Sequence, residues 1–270
     1  MLIIVDVFIG IQLYFNKASK EKMSTDTFET AKQVLAERGL KISGNVENAY
    51  SELGAVKFND IDTSISLAAQ LLLGKCTLEA DENGKRLSNG ISYIKYDSLG
   101  NIEYINNEIE NVPASAAEAQ RHASRFFSDI GLPPTYYELG QVTEEIQQTV
   151  ITVKQMIDQT PVIGAQLELT VCRDGIKAAK GIWFFGTLEF MSASERDMLN
   201  MLFAVADFYK GRKVTMENAQ QGYYRMYNTI EREIESIVLG CAWRVETDIS
   251  NIIFSSVTGQ IVFVEEKQGD

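Results

Sequence analysis

The sequence predicts an α+β fold in which helices pack on curled antiparallel sheet, and three observations predict it. Ile163, Ala165, Leu167, Leu169 and Val171 alternate with Gly164, Gln166, Glu168 and Thr170. That period of two marks a strand with one buried and one wet face. Helical stretches opened by capping residues precede such strands; at Ser115 and Glu118 a capping box leads into the apolar stripe Ala119, Ala123, Phe126, Phe127 and Ile130. Gly100-Asn101-Ile102-Glu103-Tyr104 echoes Gly259-Gln260-Ile261-Val262-Phe263: turn glycine, polar residue, isoleucine, any residue, aromatic. Helical segments precede the hairpin in each half, so the echo predicts two related units, over 24–111 and 112–266.

The elements follow in order. Residues 24 to 38 read as a helix, with Asp26 and Glu29 at capping-box spacing and Phe28, Ala31, Val34 and Leu35 on one face; Gly39 ends it. A second helix runs from Ile61 to Leu73 and stops at Gly74. Strands are expected near Cys76–Leu78, Ile91–Tyr96 and Ile102–Ile105, the last two joined by the turn Asp97-Ser98-Leu99-Gly100-Asn101. The helix after Ser115 ends at Gly131 and Pro133-Pro134. A strand over Gln147–Ile157 turns at Asp158-Gln159-Thr160-Pro161 into the alternating strand. Arg173-Asp174-Gly175 turns into another strand, Ile176–Phe185. Ser192 and Glu195 cap a further helix carrying Leu199, Leu202, Phe203 and Val205. A shorter helix is expected near Thr215, before the terminal hairpin.

The chain has 270 residues, long enough to bury a substantial core, and its 45% hydrophobic content argues against wholesale disorder. A formal net charge of -12 argues against binding nucleic acid backbones and against broad contact with anionic lipid. Cys76, Cys172 and Cys241 stand far apart with no C-x-x-C. Buried thiols are the expected reading, and one bridge with one free thiol the alternative.

Candidate chemistry is sparse. His122 is the sole histidine, beside the apolar stripe of its helix, and no nucleophile motif accompanies it. Glu144-Glu145 and Glu265-Glu266 are adjacent acids, which on a strand point to opposite faces. No G-x-G-x-x-G follows a strand and no Walker-type loop occurs. The expectation is a binding protein, not an enzyme, with no metal and no cofactor. Trp183-Phe184-Phe185 and Trp243 are the large aromatic features, readable as core or as anchors in a partner groove.

The amino-terminal run Leu2–Phe15 is apolar but for Asp6 and Gln12, and Lys17, Lys20 and Lys22 follow it. It is shorter than the roughly 20 residues a spanning helix needs. Two readings stand: a buried element of a soluble domain, or residues 1–16 as a truncated transmembrane anchor.

The segment Ala242-Trp243-Arg244-Val245-Glu246, with Ile252-Ile253-Phe254 and Thr258-Gly259-Gln260-Ile261, resembles the final hairpin of PepSY-like domains. Ile151–Val171, with its turn Thr160-Pro161-Val162-Ile163-Gly164-Ala165, resembles their preceding hairpin. With the run Val5–Lys17 and the helix after it, the layout resembles the YycI and YycH regulators of Gram-positive bacteria. The chain departs from that pattern in its shortened span and in lacking a basic amino-terminal stretch.

The resemblance implies one amino-terminal membrane helix followed by two extracytoplasmic PepSY-like units. It implies localisation in the cell membrane as a single-pass protein. It implies a non-enzymatic partner of a sensor histidine kinase of the WalK (YycG) type, controlling cell-wall metabolism, together with a YycH-like paralogue. Val5, Phe8, Ile9 and Leu13 would then contact kinase membrane helices, and Trp183 and Trp243 are the candidate partner anchors in the outer domain. A PepSY-type protease inhibitor or propeptide-like chaperone is the alternative function.

Overall fold

The computed structural model describes residues 25–43, 53–81, 84–146, 148–191, 198–225 and 236–267. The expected anchor, residues 1–16, and the expected cap at Ser192 and Glu195 lie outside them. No helix among the described residues is long and apolar enough to cross a membrane.

One arrangement, a helix followed by a four-stranded antiparallel meander, occurs three times among the described residues. In the first, α2 (Ile61–Leu73) precedes β3 (Thr77–Asp81), β4 (Gly84–Ser88), β5 (Tyr93–Tyr96) and β6 (Asn101–Ile105). In the second, α3 (Ala116–Asp129) and a 3-10 turn at Pro134–Tyr136 lead into β7 (Tyr137–Glu144), β8 (Thr149–Ile157), β9 (Thr160–Cys172) and β10 (Gly175–Ile182). In the third, α4 (Met198–Phe208) leads into β12 (Val214–Arg225), β13 (Ser236–Thr247), β14 (Ser250–Ser255) and β15 (Ile261–Glu266). The remaining elements are α1 (Thr25–Glu37), β1 (Leu40–Ile42), β2 (Val56–Asn59) and β11 (Thr187–Phe190). The sequence echo sits at the start of β6 and of β15, the fourth strands of the first and third units. The boundary expected at 111/112 falls between the first and second units, and the segment 112–266 holds the other two.

The first two meanders join edge to edge where β6 pairs antiparallel with β10. One row of side chains then crosses the combined sheet: Leu87, Ile94, Tyr104, Ala179, Leu169 and Ile151, each directly opposite the next. All six are buried, together with Ile65 and Ala69 of α2 and Ala119, Ala123 and Phe127 of α3. Those helix positions recur at a spacing of four, so each helix turns one stripe to the sheet. Phe127 stacks on Trp183 at 5.0 Å and 27° and on Tyr137 at 4.6 Å and 22°. Full burial of the Phe127 ring contributes about 1.5–3 kcal/mol.

A second core belongs to the third meander. Trp243, Val245, Ile252 and Phe254 face α4, through Leu199, Leu202 and Val205, and α1, through Phe28 and Leu35. Tyr209, just past α4, places its hydroxyl on Ser250 and 3.3 Å from Thr247, tying the helix end to the β13–β14 turn. The third meander joins the second through one parallel bridge, Tyr223 to Val162, and its Tyr223, Ile237 and Leu239 are buried in the first core. β2 and β11 extend the opposite edge of β13, and β1 runs parallel to the start of β12.

The helix expected near Thr215 is instead strand β12. Val214 and Met216 point into the second core, and the strand pairs with β13 along its length and with β1 at its start. Glu217, Asn218, Ala219 and Gln220 carry no strong strand preference, so flanking partners decide the conformation. The strand expected to reach Phe185 ends at Ile182. There the chain turns inward, and buried Gln155 holds Phe184 at both backbone groups: Gln155 Nε2 donates to the Phe184 carbonyl (2.7 Å) and the Phe184 N–H donates to Gln155 Oε1 (2.9 Å).

Candidate interaction surface

Several polar side chains that could do chemistry are engaged in structure. His122 Nε2 donates to the carbonyl of Arg173 at 3.0 Å, pinning α3 to the β9–β10 turn. Glu144 accepts from the Ala116 N–H at 2.6 Å, at the amino-terminal end of α3, where a carboxylate is favoured. Asp62 accepts from the Tyr96 hydroxyl at 3.1 Å and from the Lys85 ammonium. Burial first, then the Asp62 charge, pushes the Tyr96 phenol well above its usual range. Burial likewise pushes the Tyr223 phenol up to about 12.

All three cysteines are free thiols, and burial pushes each of them up, away from the thiolate a nucleophile needs. Cys172 and Cys241 are buried and Cys76 is half-buried. Among the described residues, no group of three or more His, Cys, Asp or Glu side chains is placed to hold a metal ion. A narrow cleft between α2 and α3 is lined by Ile65, Leu72, Ile94, Phe126, Ile130 and Phe185, among other apolar side chains. It offers shape but little polarity to orient a substrate.

Of the partner residues expected from sequence, Val5, Phe8, Ile9 and Leu13 lie outside the described residues. Trp183 and Trp243 do not meet on one surface. Trp183 is 1% exposed in the first core and Trp243 3% exposed in the second. Each indole is an internal packing element of its own helix-on-sheet layer and presents no face to a partner.

The exposed apolar groups lie elsewhere. Ile146, 98% exposed, sits at the tip of the β7–β8 hairpin. Leu67 and Leu71 lie one helical turn apart on the outer side of α2. Val262, Phe263 and Val264 are consecutive and all exposed on β15. Strand edges differ in how they are guarded. β3 carries the charged Glu79; β7 carries Glu138 and Glu144 and a register shift between Leu139 and Val142. β11 spans four residues, and its Glu189 accepts from Asn59 at 3.0 Å. β15 pairs only with β14 among the described residues, and its exposed stretch holds both the apolar Val262, Phe263 and Val264 and the charged Glu265 and Glu266. Sequence reasoning had no signal for this, because an apolar hairpin strand reads the same whether buried or at an edge.

Comparison with known proteins places the chain beside three solved structures. An uncharacterized protein from Eubacterium rectale has a TM-score of 0.46 and 12% identity, over 88% of this chain and 94% of that one. The YpeB C-terminal domain of Bacillus megaterium has a TM-score of 0.38 and 11% identity, over 78% and 99%. YycH from Bacillus subtilis has a TM-score of 0.37 and 16% identity, over 79% of this chain and 50% of that chain. No family model and no curated protein matches the sequence.

Proposed function

We propose that this protein is a membrane-anchored extracytoplasmic regulator that binds a sensor histidine kinase and biases its signalling state. The observation that carries the reading is where the PepSY-like strings fall. Ala242–Glu246, Ile252–Phe254 and Thr258–Ile261 run along β13, β14 and the turn into β15, and Thr160–Ala165 opens β9. The first set lies in the third meander and the second set in the second meander, each on the sheet of a helix-plus-four-strand unit. Residues 1–16 serve as the anchor and bring Val5, Phe8, Ile9 and Leu13 against the kinase membrane helices. Confinement to the same membrane raises the local concentration of the two partners, so a weak contact suffices. Bias requires unequal affinity for the two kinase states, since a ligand that binds both alike shifts nothing.

The test is phosphorylation of the cognate response regulator in cells lacking this protein. A changed phosphorylation level, restored by the full chain and not by a chain lacking residues 1–16, is expected. An unchanged level in the deletion strain would remove the regulatory reading.

A further inference from the structure

We propose that Asn89-Gly90 is a self-modifying latch, in which the Gly90 backbone nitrogen converts the Asn89 amide to a carboxylate once the end of α2 lifts from the β4–β5 turn. This stands apart from the kinase reading and rests on the turn alone. An asparagine followed by glycine is the pair in which this reaction is least hindered, because the second residue has no side chain to block the approach of its nitrogen to Cγ. Asn89 is half-buried in the turn. Gly90 is exposed at a φ of +91°, with nothing within 4 Å of where a Cβ would stand.

Each polar group that the reaction uses is held. Asn89 Nδ2 donates to the Leu73 carbonyl at 3.1 Å, and the Gly90 N–H donates to Ser88 Oγ at 3.0 Å. Asn89 Oδ1 accepts from the Ile91 N–H at 3.0 Å and from the Ser92 N–H at 2.8 Å. These bonds act in opposite directions. The two donors on Oδ1 draw charge from Cγ and stabilise the oxyanion that forms on attack. The other two bonds oppose reaction. Ser88 holds the proton that the attacking nitrogen must lose, and Leu73 holds the amide that must leave. The Leu73 carbonyl is among the last four of α2, which have no partner inside the helix. Fraying of that last turn therefore frees the leaving amide while the turn keeps Oδ1 polarised.

The step needs only water. A bond forms between the Gly90 nitrogen and Asn89 Cγ, the Cγ–Nδ2 bond breaks, and the Gly90 proton departs with the amide as ammonia. Water then opens the cyclic imide at either carbonyl, leaving aspartate or isoaspartate in place of Asn89. Both products carry a carboxylate. It has no proton to donate to Leu73, and it faces the negative end of α2, where an anion is unfavourable. The latch does not re-form. The turn of α2 that carries Leu72, on the wall of the apolar cleft with α3, stays loosened.

The experiment follows the tryptic peptide Leu87–Lys95 by mass while the full chain is incubated at neutral pH; this peptide holds Asn89 and leaves out the other such pair, Asn83-Gly84. Wild type is expected to convert more slowly when folded than in urea. Ser88→Ala frees the attacking N–H, and Gly74→Pro removes the Gly74 N–H bond to the Gln70 carbonyl and frays α2. Each should speed conversion of the folded chain by about 2- to 10-fold, the weight of one neutral hydrogen bond. Circular dichroism checks that both variants are folded. Asn89→Asp should raise amide hydrogen exchange in the last turn of α2 and leave α3 unchanged. Folded and unfolded wild type converting at one rate overturns the proposal. So does a folded Gly74→Pro or Ser88→Ala that converts no faster than wild type, or an Asn89→Asp chain with wild-type exchange at the end of α2.

Discussion

Trp183 and Gln155 are the side chains on which the first core turns. Trp183 stacks on Phe127, and Gln155 satisfies both backbone groups of Phe184 just beyond. Trp183→Ala should cost about 3–5 kcal/mol, the range for truncating a large buried ring. Gln155→Leu keeps the volume but strands two buried backbone groups, at about 1–3 kcal/mol each. Urea unfolding of the two variants measures both, and a loss below about 1 kcal/mol in either would contradict the packing described. Glu118 gives a pH-dependent prediction. Its carboxylate accepts from the Ser115 backbone N–H and hydroxyl, and these bonds hold it below the usual carboxylate range. A depressed folded value means the stabilisation is present above the unfolded value, about 4.3, and is lost as pH falls through the folded one. Glu118→Gln keeps a cap acceptor but cannot ionise, so its thermal midpoint should fall less steeply than that of wild type on acidification. Parallel acid limbs in the two proteins would refute this. Legibility in sequence divides at the same scale. The Ser115–Glu118 box was readable because both partners are local. The burial of both indoles was not, because it depends on Phe127 for Trp183 and on α1 and α4 for Trp243, all distant in sequence.

At the scale of elements, the structure has two cores. One lies under α2 and α3, and the other under α1 and α4. Leu35→Ala in the second and Phe127→Leu in the first share no partners, so their destabilisations should add within about 0.3–0.5 kcal/mol. A larger coupling energy in the double variant would mean the cores are mechanically one. Helices with strong stripes were legible: the sequence expects 24–38 and 61–73, and the structure has Thr25–Glu37 and Ile61–Leu73. The alternating strand was legible from Ala165 onward. Before it, Val162 and not Ile163 is buried, because Gly164, at a φ of +82°, and a register shift opposite Lys154 and Met156 change the facing residue. β12 escaped because its middle is polar and its identity comes from β13 and β1. β1, β2 and β11 escaped because three or four residues show no period.

At the scale of the whole molecule, the described residues repeat one topology three times. The echo links the first and third fourth-strands, each entered through a turn glycine. At Gly100 the reason is physical: its φ is +85°, and an added Cβ would lie 2.6 Å from the Phe184 ring. In the second unit Gly175-Ile176 holds the same place without the flanking string, so the repeat there is topological and invisible to motif reading. The proposed biology belongs to the whole chain, with residues 1–16 as its proposed anchor. Its most direct test is co-purification from native membranes with a carboxyl-terminal tag and quantification of the kinase recovered. The account predicts that this protein partitions to the membrane fraction and retains a sensor histidine kinase, and that deleting residues 1–16 abolishes both. A soluble protein that recovers no kinase would contradict it.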